Sequence, residues 1–239
     1  MTSNAPVAII AGAGAAGSAI ARALASAGII VEVVDSRLES AERALAPILA
    51  QGQTGTAHAV DLLEVAGVEA LLDDITDRHG RLDIVIHVVG GWKGSKAFSL
   101  ASLTNWDELN PPIVGTLATL TSVCAAPVKA SDIGRVVMVS STAARQKASA
   151  GNVAYVAAKA AAEAWMSGVA DEFDGSQAAA VTFAVRALLN DNMIESDPQK
   201  SWPGYTHVEL LAAQILLVVT EPTQNGAYID LTLAEYLAT

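Results

Sequence analysis

The sequence predicts one α/β domain, a doubly wound parallel sheet of about seven strands with helices on both faces. Three observations predict it. Short apolar runs rich in β-branched residues alternate with helical patterns along all 239 residues, as buried parallel strands and their crossover helices do. A glycine-spaced turn links the first such run to the first helix. No internal repeat, low-complexity linker or abrupt change in composition divides residues 1–239, so they are read as one unit.

Val7 to Ala11 is the first strand and runs into Gly12-Ala13-Gly14-Ala15-Ala16-Gly17. Ser18 to Ala27 follows as a helix stopped by Gly28, then Ile29 to Val34 as a second strand with Asp35 behind it. Strand, Gly-x-Gly-x-x-Gly, helix, strand, acid is the dinucleotide-binding pattern in its expected context. The glycines permit a tight turn and a close backbone approach to a pyrophosphate, and the helix N-terminus offers free N–H groups. Asp35, 18 positions after Gly17, is placed to accept from ribose hydroxyls and to repel a 2′-phosphate. NAD is therefore expected over NADP, with Arg37 close enough to leave NADP open.

Leu38 to Leu49 reads as a helix with Pro47 in its last turn, Thr56 to Val60 as the third strand, and Asp61-Leu62 as its exit. Val65 to His79 is an amphipathic helix ended by Gly80, and Leu82 to Val89 a fourth strand ending at Gly90-Gly91. Gly91 to Ser102 reads as a loop, and Leu103 to Asn110 as a helix that Pro111-Pro112 must interrupt before Ile113 to Ala130. The fifth strand, Arg135 to Val139, delivers Ser140-Ser141-Thr142; Ala143 to Gly151 is a loop; the next helix ends near Asp174-Gly175. Ala178 to Val185 is the sixth strand, residues 188 to 206 a polar lid, His207 to Val219 the last helix and Ala227 to Leu231 the last strand.

Over half of the residues are hydrophobic and the net charge is −11. That charge argues against nucleic acid and anionic membrane surfaces as partners. Cys124 is the only cysteine, so no internal disulfide forms, and its apolar surroundings predict a buried, inert thiol. Met1 to Pro6 lacks a signal-peptide pattern, and no uncharged apolar run reaches the ~18 residues of a spanning helix. A soluble protein of a reducing compartment, the cytoplasm, is expected.

The chemistry centres on Tyr155-Val156-Ala157-Ala158-Lys159. Residues four apart share a helix face. An ammonium beside a phenol favours the phenolate and is expected to lower the Tyr155 pKa. Such a phenol exchanges protons with a carbonyl or alcohol oxygen near neutral pH.

Together with the Gly12/Gly14/Gly17 turn, Asp61 after the third strand and Ser140-Ser141 after the fifth, this segment resembles the short-chain dehydrogenase/reductase family, over nearly the whole chain. The resemblance implies Tyr155 as proton donor or acceptor, Lys159 as the group that tunes it and holds the nicotinamide ribose, and a serine that steadies the substrate oxygen. The usual spacing before Tyr155 lands on Thr142, whereas the strand end points to Ser141; Ser141 is preferred, with Thr142 and Ser140 as alternatives. It implies cofactor contacts at Gly12, Gly14, Ala16, Gly17, Asp35, Asp61, Leu62, His87, Val88, Val89, Gly90, Tyr155, Lys159, Ala187 and Leu188. It also implies a homo-oligomer, a tetramer or dimer, through the Tyr155 helix and the one before it.

Four departures mark a divergent member. His87-Val88-Val89-Gly90 replaces the usual Asn-Asn-Ala-Gly, with His87 read either as a ribose contact or as a buried strand histidine. Pro112 falls near the usual active-site Asn, with Asn110 as a substitute. Arg186-Ala187 replaces Pro-Gly, and Arg186 is expected to meet the cofactor, an anionic substrate, or Asp191 or Glu195. The glycine turn is one residue tighter than the commonest form. His58, His79 and His207 show no metal-ligand spacing, and no metal is expected. Trp92, Trp202 and Tyr205 either form an apolar substrate pocket or anchor loops. The expected activity is NAD(P)(H)-dependent interconversion of a carbonyl and a secondary alcohol on a small molecule. The alternatives are a non-redox elimination, isomerisation or cyclisation, and a non-catalytic dinucleotide-binding protein.

Overall fold

The computed structural model describes residues 5–233; the reading of the first four residues as a polar lead lies outside them. The strands are β1 (Val7–Ala11), β2 (Ile30–Asp35), β3 (Gly55–Ala59), β4 (Ile84–His87), β5 (Arg135–Ser141), β6 (Ala179–Val185), β7 (Leu188–Leu189), β8 (Thr206–His207) and β9 (Tyr228–Asp230). The helices are α1 (Ala15–Ser26), α2 (Leu38–Ala50), α3 (Val65–His79), α4 (Leu100–Asn110), α5 (Thr116–Ala130), α6 (Val153–Glu172), α7 (Asp191–Ser196) and α8 (Val208–Thr220).

Seven strands form one parallel sheet in the order β3-β2-β1-β4-β5-β6-β9. The strands are apolar on both sides because both faces are covered. Ile10, Val31, Ile86 and Phe183 meet α1, α2 and α8 on one face; Ile9, Val85, Val136 and Met138 meet α3, α5 and α6 on the other. Strand order reverses between β1 and β4, and in open α/β sheets the carboxyl-side crevice at such a reversal is the usual ligand site.

Several boundaries differ from the sequence reading, each for a local reason. Strand β4 ends at His87, so Val88 and Val89 lie in the exit loop. Helix α4 begins at Leu100, three residues early, because Ser99 caps it: the Ser99 hydroxyl accepts from Ala101 N–H and Ser102 Oγ accepts from Ser99 N–H, each at 3.3 Å. Pro111-Pro112 does not break the helix. It opens it into a π turn, Pro111–Gly115, in which Thr116 N–H reaches back to the Pro111 carbonyl. Strand β5 carries on through Ser140 and Ser141.

The π turn joins α4 and α5 into a continuous helical stretch, Leu100–Ala130, long and apolar enough to cross a membrane by length and composition. The sequence reading did not foresee that length. Leu109, Ile113, Leu117, Leu120, Cys124 and Val128 along it are buried in the protein's own core. The lid has structure of its own: β7 pairs with β8 in a small parallel sheet that brackets α7.

Candidate active site

Helix α6 presents Tyr155, Lys159 and Glu163 on one face, at successive steps of four. Strand β5 brings Ser140 and Ser141 to that face. Tyr155 and Ser141 line the same cavity, and the Ser141 side chain acts to lower the pKa of the phenol. Ser141 Oγ also accepts from Ala143 N–H at 3.3 Å, which caps the 3₁₀ turn Thr142–Arg145. Of the two alternatives to Ser141, Ser140 is committed elsewhere: it donates to Glu163 Oε1 at 2.6 Å. Thr142 is not among the residues lining the cavity.

Lys159 is buried and donates from Nζ to the Val139 carbonyl at 2.8 Å. Burial lowers its pKa to about 8, against the pull of the Glu163 carboxylate. Tyr155 moves the other way: burial raises its pKa, and the Ser141 side chain opposes that rise. The expectation that Lys159 depresses the phenol is therefore corrected. The ammonium is turned to a backbone carbonyl, and Ser141 is the group acting on the phenol.

A cavity of about 630 Å³ opens over these residues. Val88, Val89, Gly90, Ala187 and Leu188 share it with Ser141, Tyr155 and Lys159. The glycine turn abuts it. Gly12 has φ +104°, and a Cβ there would press on the Val88 and Val89 backbone at 3.1–3.3 Å. At Gly17 a Cβ would fall 1.8 Å from the Gly12 carbonyl oxygen. Gly14 is different. Its φ of −72° suits any residue, and a Cβ would meet nothing within 4 Å. Nothing inside the protein requires a glycine there. The bare backbone at the start of α1, with the first-turn N–H groups of Ala16 and Gly17, is a cradle that fits a pyrophosphate. Asp35 braces this turn: it accepts from Ala13 N–H at 3.2 Å and from Arg37 N–H at 3.1 Å, with the exposed Arg37 guanidinium 3.9 Å away.

Three predicted cofactor contacts lie apart from the cavity. Leu62 is buried in the core, so it has no surface side chain to offer. Asp61 caps its own turn by accepting from Leu63 N–H at 3.0 Å and lines a separate crevice beside α3. His87 is the buried strand histidine: its Nε2 lies 2.8 Å from Thr116 Oγ1, which donates to the Pro112 carbonyl at 2.8 Å. Because the threonine hydrogen is spent on Pro112, His87 donates from Nε2. Burial and the Lys159 ammonium drive its pKa down to about 3, so the ring is neutral. The Pro112 carbonyl is thus held by Thr116, and no side-chain hydrogen bond of Asn110 occurs among the described residues.

Arg186 forms no ion pair with Asp191 or Glu195; its Nη1 donates to the Pro203 carbonyl at 3.2 Å. Trp92 and Tyr205 line the cavity, and Trp202 stands behind, tilted against Tyr205 at a centroid distance of 5.3 Å. His207 caps α8, while His58 and His79 both bind Glu32. No three potential metal ligands cluster among the described residues.

Sequence reasoning missed Glu163. It anchors Ser140 and takes Arg145 Nε at 2.8 Å, with the Arg145 guanidinium 3.3 Å above the Tyr228 ring. Its position four after Lys159 was the available signal. Asn152 and Ala143, also in the lining, carried none.

The short chain dehydrogenase family profile matches residues 6–197. A D-threitol dehydrogenase of Mycolicibacterium smegmatis is 33% identical over 103 residues, 43% of this chain; the match spans 39% of that protein's length. A metagenomic short-chain oxidoreductase in complex with NADP superposes with a TM-score of 0.77 at 22% identity, over 94% of this chain and 96% of its own. An NAD⁺-bound xylitol dehydrogenase does so at 0.80 and 15%, over 94% and 96%. A putative D-mannonate oxidoreductase from Haemophilus influenza with bound NAD reaches 0.82 at 18%, over 98% and 95%. At these identities the structures speak for the fold. With the profile covering most of the chain, and the glycine turn and the Ser, Tyr and Lys standing at its carboxyl edge, the chain belongs to the short-chain dehydrogenase family.

Proposed function

We propose that this protein is an NAD(P)(H)-dependent oxidoreductase that interconverts a carbonyl and a secondary alcohol on a small organic molecule. The observation that carries the reading is the convergence of Ser141, Tyr155 and the buried Lys159 on one cavity. A nicotinamide dinucleotide, when bound, supplies hydride exchange at the ring's C4. The protein's part is to orient and to move a proton. Ser141 holds the substrate oxygen through its hydroxyl. Tyr155 donates its proton to that oxygen in reduction and takes it back in oxidation. Lys159, an ammonium below about pH 8, holds ribose hydroxyls. The first-turn N–H groups of α1 hold the pyrophosphate at Gly14. Asp35 takes the ribose hydroxyls and favours NAD over NADP, which the ratio of the two dissociation constants tests.

Tyr155→Phe tests the mechanism. Loss of the proton donor lowers kcat by about 10²- to 10⁴-fold. Turnover at near wild-type rate overturns the reading. A second reading, a non-redox reaction with Tyr155 as acid or base, draws on the Pro112, Thr116 and His87 chain that stands where the family's Asn belongs. Product formation without a change in reduced-nicotinamide absorbance selects it.

By the same reading the protein works in the cytoplasm as a homo-oligomer. The apolar groove between α5 and α6 around Trp165 is the surface for self-association, and a monomeric sedimentation mass at micromolar concentration rejects it.

A further inference from the structure

The cavity above Tyr155 contains two cationic side chains, Lys159 and Arg186, and no carboxylate. This is the reverse of the chain as a whole, whose net charge is −11. The two cations are not equivalent. Lys159 is buried, with its ammonium on the Val139 carbonyl. Arg186 is exposed at the rim, where β6 gives way to the lid, and lies against Gly204. A guanidinium carries five N–H donors in a planar fork, and the one protein acceptor on Arg186 among the described residues is the Pro203 carbonyl. Asp191 and Glu195, close by in sequence, do not pair with it. The same lid turn holds two further polar side-chain atoms that are buried and have no partner among the described residues, Trp202 Nε1 and Thr206 Oγ1. Donors are in surplus here and acceptors are missing.

The other arginines near the cavity or in the core are spent on internal partners. Arg145 holds Glu163, Arg81 holds Asp83, Arg78 holds Glu32 and Arg135 holds four backbone carbonyls. Arg186 alone of these faces a cavity that lacks any acid.

We propose that Arg186 anchors a carboxylate or phosphate group of the substrate, so that the preferred substrate is an anionic ketone or secondary alcohol. Its reacting oxygen meets Ser141 and Tyr155 while its anionic end meets the guanidinium fork. An Arg–carboxylate or Arg–phosphate pair is bidentate and fixes direction as well as distance. It also orients the molecule along the cavity from floor to rim. The proposal rests on the dehydrogenase reading for the reacting end only. The anion-binding end stands on the cavity's charge.

The test uses matched pairs: acetoacetate with methyl acetoacetate, 4-oxopentanoate with its methyl ester, and dihydroxyacetone phosphate with dihydroxyacetone. Calorimetry gives the dissociation constant of each, with and without NADH, and absorbance at the reduced-nicotinamide band gives turnover. At least one anionic member is expected to bind about 10- to 100-fold more tightly than its neutral partner. Arg186→Ala removes that difference, Arg186→Lys keeps part of it, and NADH affinity is unchanged in both. Equal binding within every pair, or no binding of any anionic member, overturns the proposal. So does an Arg186→Ala variant that loses NADH affinity while the anion preference stays, which assigns the guanidinium to the cofactor. Selective binding of an anionic member without turnover leaves the anion site standing and removes the dehydrogenase reading.

Discussion

At the amino end of β4, Asp83 is buried and held from all sides: Arg81 at 2.7 Å, Ser131 at 2.6 Å and Val7 N–H at 2.9 Å. At the carboxyl end of the neighbouring β5, Lys159 is equally buried and has one carbonyl. Burial pushes the Asp83 pKa up, but Arg81, Ser131 and the backbone more than offset it. Burial of Lys159 goes largely uncompensated, and its pKa falls to about 8. Glu32 in β2 repeats the Asp83 pattern with more partners. His58 lies at 2.6 Å, His79 at 2.9 Å, and Arg78 makes two bonds at 2.9–3.0 Å. The difference separates two uses of buried charge. Where charge holds the sheet together, every lone pair is met within the chain. Lys159, in the candidate site, is instead left under-paired, as groups poised for chemistry are.

The largest test of this contrast is Glu32→Ala. Removing one member of a buried ionic cluster is expected to cost about 3–5 kcal/mol, read by denaturant unfolding, with cofactor affinity intact in the fraction that folds. A cost below about 1 kcal/mol, the range of an exposed pair, rejects a structural role for the cluster.

Acid tests the same group without mutation. Burial acts to raise the Glu32 pKa, but His58, Arg78 and His79 hold it at about 2, against 4.5 for the free side chain. The folded carboxylate therefore resists protonation that the unfolded one accepts. Its contribution is complete above pH 4.5 and drains away as pH falls towards 2, on the order of 3 kcal/mol in all. Glu32→Gln should flatten that limb of the stability curve.

Lys159→Met is the counterpart at the other end. The folded pKa of about 8 lies below the 10.5 of the free amine, so the unfolded chain keeps its proton to higher pH. Stability thus rises with pH between about 8 and 10.5, and below that window the ammonium is a burden. The methionine variant is expected to gain about 1–3 kcal/mol at pH 7 while activity is lost. In the wild type kcat/KM should decline above about pH 8 as the ammonium deprotonates. A variant that is both inactive and less stable would place Lys159 with Asp83, as a structural charge.

The strands, the glycine turn and the α6 face were legible in the sequence because each is a short-range signal. Apolar runs predict β1 to β6, Gly12 and Gly17 mark the turn, and a spacing of four aligns Tyr155 with Lys159. Features that the sequence left open were those that depend on partners far along the chain. His87 stood open between a ribose contact and a buried strand histidine, and its side chain is held by Thr116, 29 residues on. Pro111-Pro112 looked like a break, but tertiary packing absorbed it as a π turn. Leu62 sits beside a motif Asp and is nonetheless core. Arg186 had the cofactor, an anionic substrate, Asp191 and Glu195 as candidates, and its acceptor within the chain is the Pro203 carbonyl on the lid.

The sequence by itself determined the alternation of strand and helix, the parallel sheet this alternation requires, and the residue types able to carry out proton transfer beside a dinucleotide. Periodicity and turn chemistry act over a few residues, so they survive in one dimension. Only the tertiary structure decided which charges are satisfied. Burial and pairing are properties of what meets in space, and they set the direction in which Tyr155, Lys159, His87 and Glu32 titrate. They also leave Arg186 facing a cavity without an acid.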